Sequence, residues 1–137
     1  MLVFACAGGS NVGQISNAAA VDLENRGLGR LYCLAGVAAH IEGMVKTAKS
    51  VPVTVAIDGC GSACARKSLE HAGIEPTRQV VVTDLGIKKG HVYEWSPEDL
   101  ARVVDAAGGP RAETSPCCAD ASAASCCATD PARGDGA

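Results

Sequence analysis

Val53-Thr54-Val55-Ala56-Ile57-Asp58-Gly59-Cys60-Gly61-Ser62-Ala63-Cys64 carries the pattern that decides the fold. Its first five residues are rich in β-branched side chains, which suit an extended, pleated backbone, and predict a strand. Asp58-Gly59 closes that strand, and residues 60–71 then read as a helix ended by Gly73. A strand followed at once by a helix is the first half of a β-α-β unit.

The same unit recurs on both sides. Upstream, Leu2-Val3-Phe4-Ala5-Cys6 reads as a short buried strand, followed by the turn Gly8-Gly9-Ser10-Asn11 and a helix with Val12, Ile15, Ala19 and Leu23 on one face. Asn11 with Gln14 predicts a capping box at its start, and Gly27 and Gly29 end it. Leu31-Tyr32-Cys33-Leu34-Ala35 reads as a second strand, and Val37, Ile41, Met44, Val45 and Ala48 predict one amphipathic helix ending near Pro52. Downstream, Val80-Val81-Val82-Thr83 is a fourth strand. Ser96, Pro97 and Asp99 mark the start of a last helix through Leu100, Val103, Val104 and Ala107, which Gly108-Gly109 ends. Alternating strands and helices of this length predict parallel units with right-handed crossovers. The expected fold is a small three-layer α/β domain over 1–109, Rossmann-like or flavodoxin-like, with a four-stranded, mainly parallel sheet.

Composition agrees and excludes several function classes. A chain of 137 residues with 47% hydrophobic content supports one core, and 3% aromatic residues implies small side chains packed between helices and sheet. A net charge of −3 offers no basic stripe, so nucleic acid is not an expected partner. The apolar start lacks a basic leader region, and no run approaches the roughly 20 apolar residues of a membrane span. A soluble, cytoplasmic protein without membrane insertion is expected. In a reducing compartment, eight cysteines point to metal binding or thiol chemistry rather than a disulfide framework.

Four of them fall at one edge of the expected sheet. Cys6 ends the first strand, Cys33 lies at or near the end of the second, Cys60 follows the third, and Cys64 comes one helical turn later. Ligands collect at the carboxyl ends of parallel strands, where helix N-termini also point and favour thiolate over thiol. On a helix, Cys60 and Cys64 would share a face at i and i+4. Together the four predict one thiolate site for a soft metal ion. Zn²⁺ is the leading candidate, with As(III), Cu(I) or an iron–sulfur cluster as alternatives. Separate packing roles would account for any one buried cysteine, but give no reason to choose the ligand-binding edge. A redox pair at Cys60 and Cys64 would have one residue too many between its thiols.

Beyond the cysteines, Asp58 is expected to accept bonds from the turn backbone. Lys88-Lys89 reads as a solvated loop, with balancing of an anionic cluster as the alternative. His40 and His71 are expected at the surface, and His91 is the spare imidazole nearest the edge in topology. An arsenate reductase or low-molecular-weight phosphatase would need Arg and Ser where Val12 and Gly13 stand, so the clamp for an oxyanion is missing. An enzyme is therefore not the favoured reading.

Ile57-Asp58-Gly59-Cys60-Gly61-Ser62-Ala63-Cys64-Ala65-Arg66-Lys67 resembles the motif of the DGC domain family. Cys6-Ala7-Gly8-Gly9-Ser10-Asn11-Val12-Gly13-Gln14, the isolated Cys33, and Thr83-Asp84-Leu85-Gly86-Ile87-Lys88-Lys89 are also similar to that family, over about residues 1–109. The resemblance implies zinc binding through four chelating cysteines that match Cys6, Cys33, Cys60 and Cys64.

From 110 to 137 the chain is Ala, Ser, Gly, Pro, Asp and Thr without apolar period, and reads as a flexible tail. It carries two vicinal pairs, Cys117-Cys118 and Cys126-Cys127, similar to the paired cysteines near the carboxyl terminus of arsenical-resistance metallochaperones. Such pairs suit secondary capture of a soft ion and its transfer to a protein partner by ligand exchange. Three functions follow in order: a metal-binding module for metal or metalloid handling or resistance, an iron–sulfur or thiol redox protein, and a structural zinc adaptor.

Overall fold

The structure, a computed structural model, describes residues 1–108. The element order is β1 (Leu2–Ala5), α1 (Asn11–Asn25), β2 (Arg30–Leu31), α2 (Leu34–Ala38), α3 (Glu42–Ser50), β3 (Thr54–Asp58), α4 (Cys64–His71), β4 (Arg78–Val81), a 3₁₀ turn at Val82–Leu85, and α5 (Pro97–Gly108). The four strands form one sheet in the order β2-β1-β3-β4, parallel at every pairing, which is the flavodoxin-like arrangement. The expected α/β architecture is present. None of the helices of the described residues is long and apolar enough to cross a membrane.

Strand geometry sends successive side chains to opposite faces and so divides the core in two. Val3 and Ala5 of β1, with Val55 and Ile57 of β3, meet Val12, Ile15, Ala19 and Leu23 of α1 and Val103, Val104 and Ala107 of α5. Leu2, Phe4 and Ala56 face the other way, against Val37 of α2, Ala48 of α3 and Ala65 and Leu69 of α4. All of these are buried, as the 3.6-residue pattern of the helices requires.

Local chemistry moves several boundaries from their expected places. The cap of α1 is Ser10, whose Oγ accepts from Gly13 N–H at 3.3 Å. Asn11 and Gln14 form no capping box, because both side chains reach into loops instead. β2 stops at Leu31, since Cys33 caps α2 with its own sulfur and Leu34-Ala35 belong to that helix. The single helix expected over 37–48 is broken in two. α2 ends when Ile41 N–H donates to Gly36 O and His40 N–H to Val37 O, with His40 left-handed at φ 55°. This is a Schellman ending. β4 begins at Arg78, earlier than expected, and the 3₁₀ turn takes Val82 and Thr83. The expected start of α5 holds: Asp99 N–H donates to Ser96 Oγ at 3.1 Å.

Candidate functional site

Parallel strands deliver their carboxyl ends to one edge, and the strand order decides which ends are neighbours. β1 and β3 are adjacent but not consecutive, and the chain leaves them in opposite directions, toward β2 and toward β4. That makes the gap beyond their ends the topological switch point, the crevice where doubly wound sheets bind ligands. Cys6 directly follows β1 and Cys60 follows β3 by two residues. Cys6 N–H donates to Ile57 O at 2.9 Å, prolonging the β1–β3 ladder to the first thiol. The other two thiols stand at helix starts, Cys33 as the cap of α2 and Cys64 as the first residue of α4.

The two loops at the switch point touch through glycines. A β-carbon on Gly13 would lie 2.8 Å from Gly8 N and O, and one on Gly59 would lie 2.8 Å from Gly13 N. Both distances are too short for any side chain, so the turn after β3 rests on the first turn of α1. Gln14 Nε2 secures the turn after β1 by donating to Gly8 O at 3.0 Å and Ala7 O at 3.3 Å. Asn11 does the same for the loop after the 3₁₀ turn: its Nδ2 donates to Lys88 O at 2.9 Å and its Oδ1 accepts from Gly90 N–H at 2.7 Å.

Asp58 organises the third loop. It is wholly buried, and its carboxylate accepts from Ala65 N–H at 2.7 Å, Arg66 N–H at 3.3 Å and Gln79 Nε2 at 3.0 Å. α4 has no side-chain cap of its own, because Ala63 stands at that position in the left-handed conformation, so Asp58 supplies the missing acceptor from the strand. The expected structural role of Asp58 is thus present. The expected helix over 60–71 is not: residues 60–63 form a turn, α4 starts at Cys64, and Cys60 and Cys64 do not share a helix face.

Cys60 is the thiol whose surroundings stand out. Hydrogen bonds from the Ser62 backbone and side chain hold its pKa below the ordinary thiol value, and the Lys89 ammonium adds to the effect against partial burial. Lys89 Nζ lies 3.4 Å from Cys60 Sγ. Lys88 and Lys89 are both exposed, as a solvated loop requires, and Lys89 in addition contacts the single thiol of Cys60. The signal was already in the topology, since the loop after the fourth strand must emerge at the edge that carries Cys60. Cys6 and Cys60 are half-buried, whereas Cys33 and Cys64 are exposed. Cys33 Sγ accepts from Gly36 N–H at 3.4 Å. His91 is exposed.

The four core cysteines therefore occupy one edge of the sheet, on neighbouring loops. Among the described residues no three His, Cys, Asp or Glu side chains are gathered in an arrangement that could hold a metal ion. Cys117, Cys118, Cys126 and Cys127 lie outside the described residues.

Comparison with known proteins places this edge in context. The description of the DGC domain matches residues 2–107, which include all four core cysteines. The anaerobic and virulence modulator AnvM of Pseudomonas aeruginosa is 32% identical over 102 residues, covering 74% of this chain and 78% of its own. No solved structure matches the chain.

Proposed function

This chain belongs to the DGC domain family, and we propose that it binds a soft metal ion through Cys6, Cys33, Cys60 and Cys64, in metal or metalloid handling. Zn²⁺ is the ion the donor set favours. The observation that carries the reading is the placement of Cys6 and Cys60 at the two sides of the switch point, with Cys33 and Cys64 opening the adjacent helices. The donor chemistry fits: four thiols, none in a disulfide, lie near helix N-termini and an ammonium that offset anionic charge. The thiols are not drawn together in the described arrangement, so loading an ion requires the exposed Cys33 and Cys64 to turn toward Cys6 and Cys60. A bound Zn²⁺ would supply a closed tetrahedral charge centre without redox chemistry. The chain's own contribution is to hold the loops: Gln14 fixes the turn after β1, Asp58 the turn before α4, and Asn11 the loop bearing Lys89.

The test is elemental analysis of anaerobically purified protein. Single Cys→Ser replacements at the four core positions should each remove about one equivalent of metal. Truncation before residue 110 should leave that equivalent in place, so that the tail thiols act only in capture or transfer to a partner. Full stoichiometry in Cys60→Ser would sink the shared site.

An iron–sulfur or thiol redox role is the second reading. It is favoured by the lowered pKa of Cys60 and by the name of the Pseudomonas relative, an anaerobic modulator. Visible charge-transfer absorption in anaerobic protein that bleaches in air would select it over zinc.

A further inference from the structure

Away from the cysteine edge, two of the chain's three histidines meet across a sequence separation of 31 residues. His40 Nε2 and His71 Nδ1 lie 2.9 Å apart, with ring centroids at 4.9 Å and ring planes at 72°. Both residues are exposed. Water competes for an exposed hydrogen bond, so the pair adds little to folding. Among the described residues only His40 and Ala63 hold a positive φ without being glycine. α1, α2 and α4 all end in the same Schellman geometry, and the left-handed position is Gly27 in the first, Gly73 in the third and His40 in the second. Glycine meets that conformation freely, whereas an imidazole does so at a steric cost.

We propose that His40 and His71 form a second metal site, a two-imidazole chelate for a borderline divalent cation such as Zn²⁺ or Ni²⁺. Two nitrogens on one tetrahedral ion, each at about 2.0–2.1 Å, stand about 3.3–3.4 Å apart. The present separation of 2.9 Å is short of that by about 0.4–0.5 Å, and both rings must swing until their lone pairs meet at the ion instead of facing each other. In a neutral pair one facing nitrogen donates its proton and the other accepts, the roles depending on the tautomer. On binding, that proton moves through solvent to the other nitrogen of the same ring, so both facing lone pairs become ligands with no net proton released. The remaining positions belong to water. Glu42, Lys46 and Lys49 line the cavity of about 480 Å³ at His40, and Glu70 beside His71 is paired with Arg66 at 3.2 Å. The site joins the ends of α2 and α4 remote from Cys33 and Cys64, and it is independent of the thiol reading.

The experiment is a Zn²⁺ titration of the reduced full-length chain, carried beyond saturation of the thiols, with imidazole ¹⁵N resonances observed by NMR. His40 and His71 should move together with one dissociation constant while His91 stays still. His71→Ala should weaken the response of His40 by roughly tenfold or more. His40→Gly, which suits the left-handed backbone, should fold at least as well as the parent and weaken the response of His71 by the same roughly tenfold or more. Cys60→Ser should leave both imidazoles responsive, so the failure of the thiol site and of this one are told apart. A change of less than about twofold in His71→Ala, or an equal response at His91, overturns the proposal.

Discussion

Asp58→Ala removes the acceptor that starts α4. Three donors lose their partner: Ala65 N–H at 2.7 Å, Arg66 N–H at 3.3 Å and Gln79 Nε2 at 3.0 Å. Hydrogen bonds to a charged acceptor contribute about 1.5–3 kcal/mol each, so the two shorter bonds represent about 3–6 kcal/mol. Removing the carboxylate also relieves the cost of burying it, and water can reach part of the exposed turn, which together offset about a third to a half. The expected net loss is about 3 kcal/mol for Asp58→Ala. Asp58→Asn keeps an oxygen for Ala65 N–H, and Gln79 can turn its amide to accept from the new one, so the loss falls to about 1.5 kcal/mol. At about 4 °C per kcal/mol for a domain of this size, melting by circular dichroism under reducing conditions should drop by about 12 °C and about 6 °C. Because α4 begins at Cys64, the same variants should label faster at that thiol. An Asp58→Ala melting point within about 2 °C of the parent would refute the capping argument. Equal losses for Ala and Asn would show that charge, not geometry, is what α4 requires.

Other perturbations of the cysteine edge follow from the same contacts. The thiolate is the nucleophile, so a lowered pKa shifts the rise of alkylation rate with pH toward lower pH. Ser62→Ala or Lys89→Ala should move the Cys60 profile back upward, as followed by mass spectrometry of iodoacetamide adducts; an unmoved profile would mean those contacts do not form in solution. Asn11→Ala removes both side-chain bonds to the Lys89 loop and leaves the backbone bond from Asn11 N–H to Gly90 O, and should cost about 1–2 kcal/mol in urea unfolding while shifting the Cys60 profile in the same upward direction. Gly59→Ala forces a β-carbon to 2.8 Å from Gly13 N, and should cost about 1–3 kcal/mol; stability equal to the parent would show that the two loops part freely. Ser96→Ala removes the cap of α5 and should cost about 1 kcal/mol by the same measurement.

Much of the architecture was legible because buried strands and amphipathic helices write their period into the chain. Val55 and Ile57, the α1 face from Val12 to Leu23, and the start of α5 at Ser96 lie where periodicity and capping chemistry place them. The misplacements share one cause, a backbone turn or a side-chain bond whose reason lies outside the local pattern. Val37 and Ala48 have helical spacing, yet His40 turns left-handed between them. Cys60 and Cys64 have i, i+4 spacing, yet Ala63 turns left-handed between them, and the acceptor for the following N–H groups comes from Asp58 on β3. Asn11 reads as a cap, yet Ser10 takes that role because Asn11 is bonded to a loop 77 residues away.

By itself the sequence determined that this is a mainly parallel α/β domain with Cys6, Cys33, Cys60 and Cys64 at one edge, because each lies in the short connection between the end of a strand and the first turn of the following helix. Tertiary structure alone decided that β1 and β3 are neighbours, which puts Cys6 and Cys60 at the switch point, Lys89 against Cys60, and His40 beside His71. The physical reason is that periodicity records only which face of an element is buried. Strand order and loop contacts arise from pairings between residues far apart in the chain, and become visible only when the whole core closes.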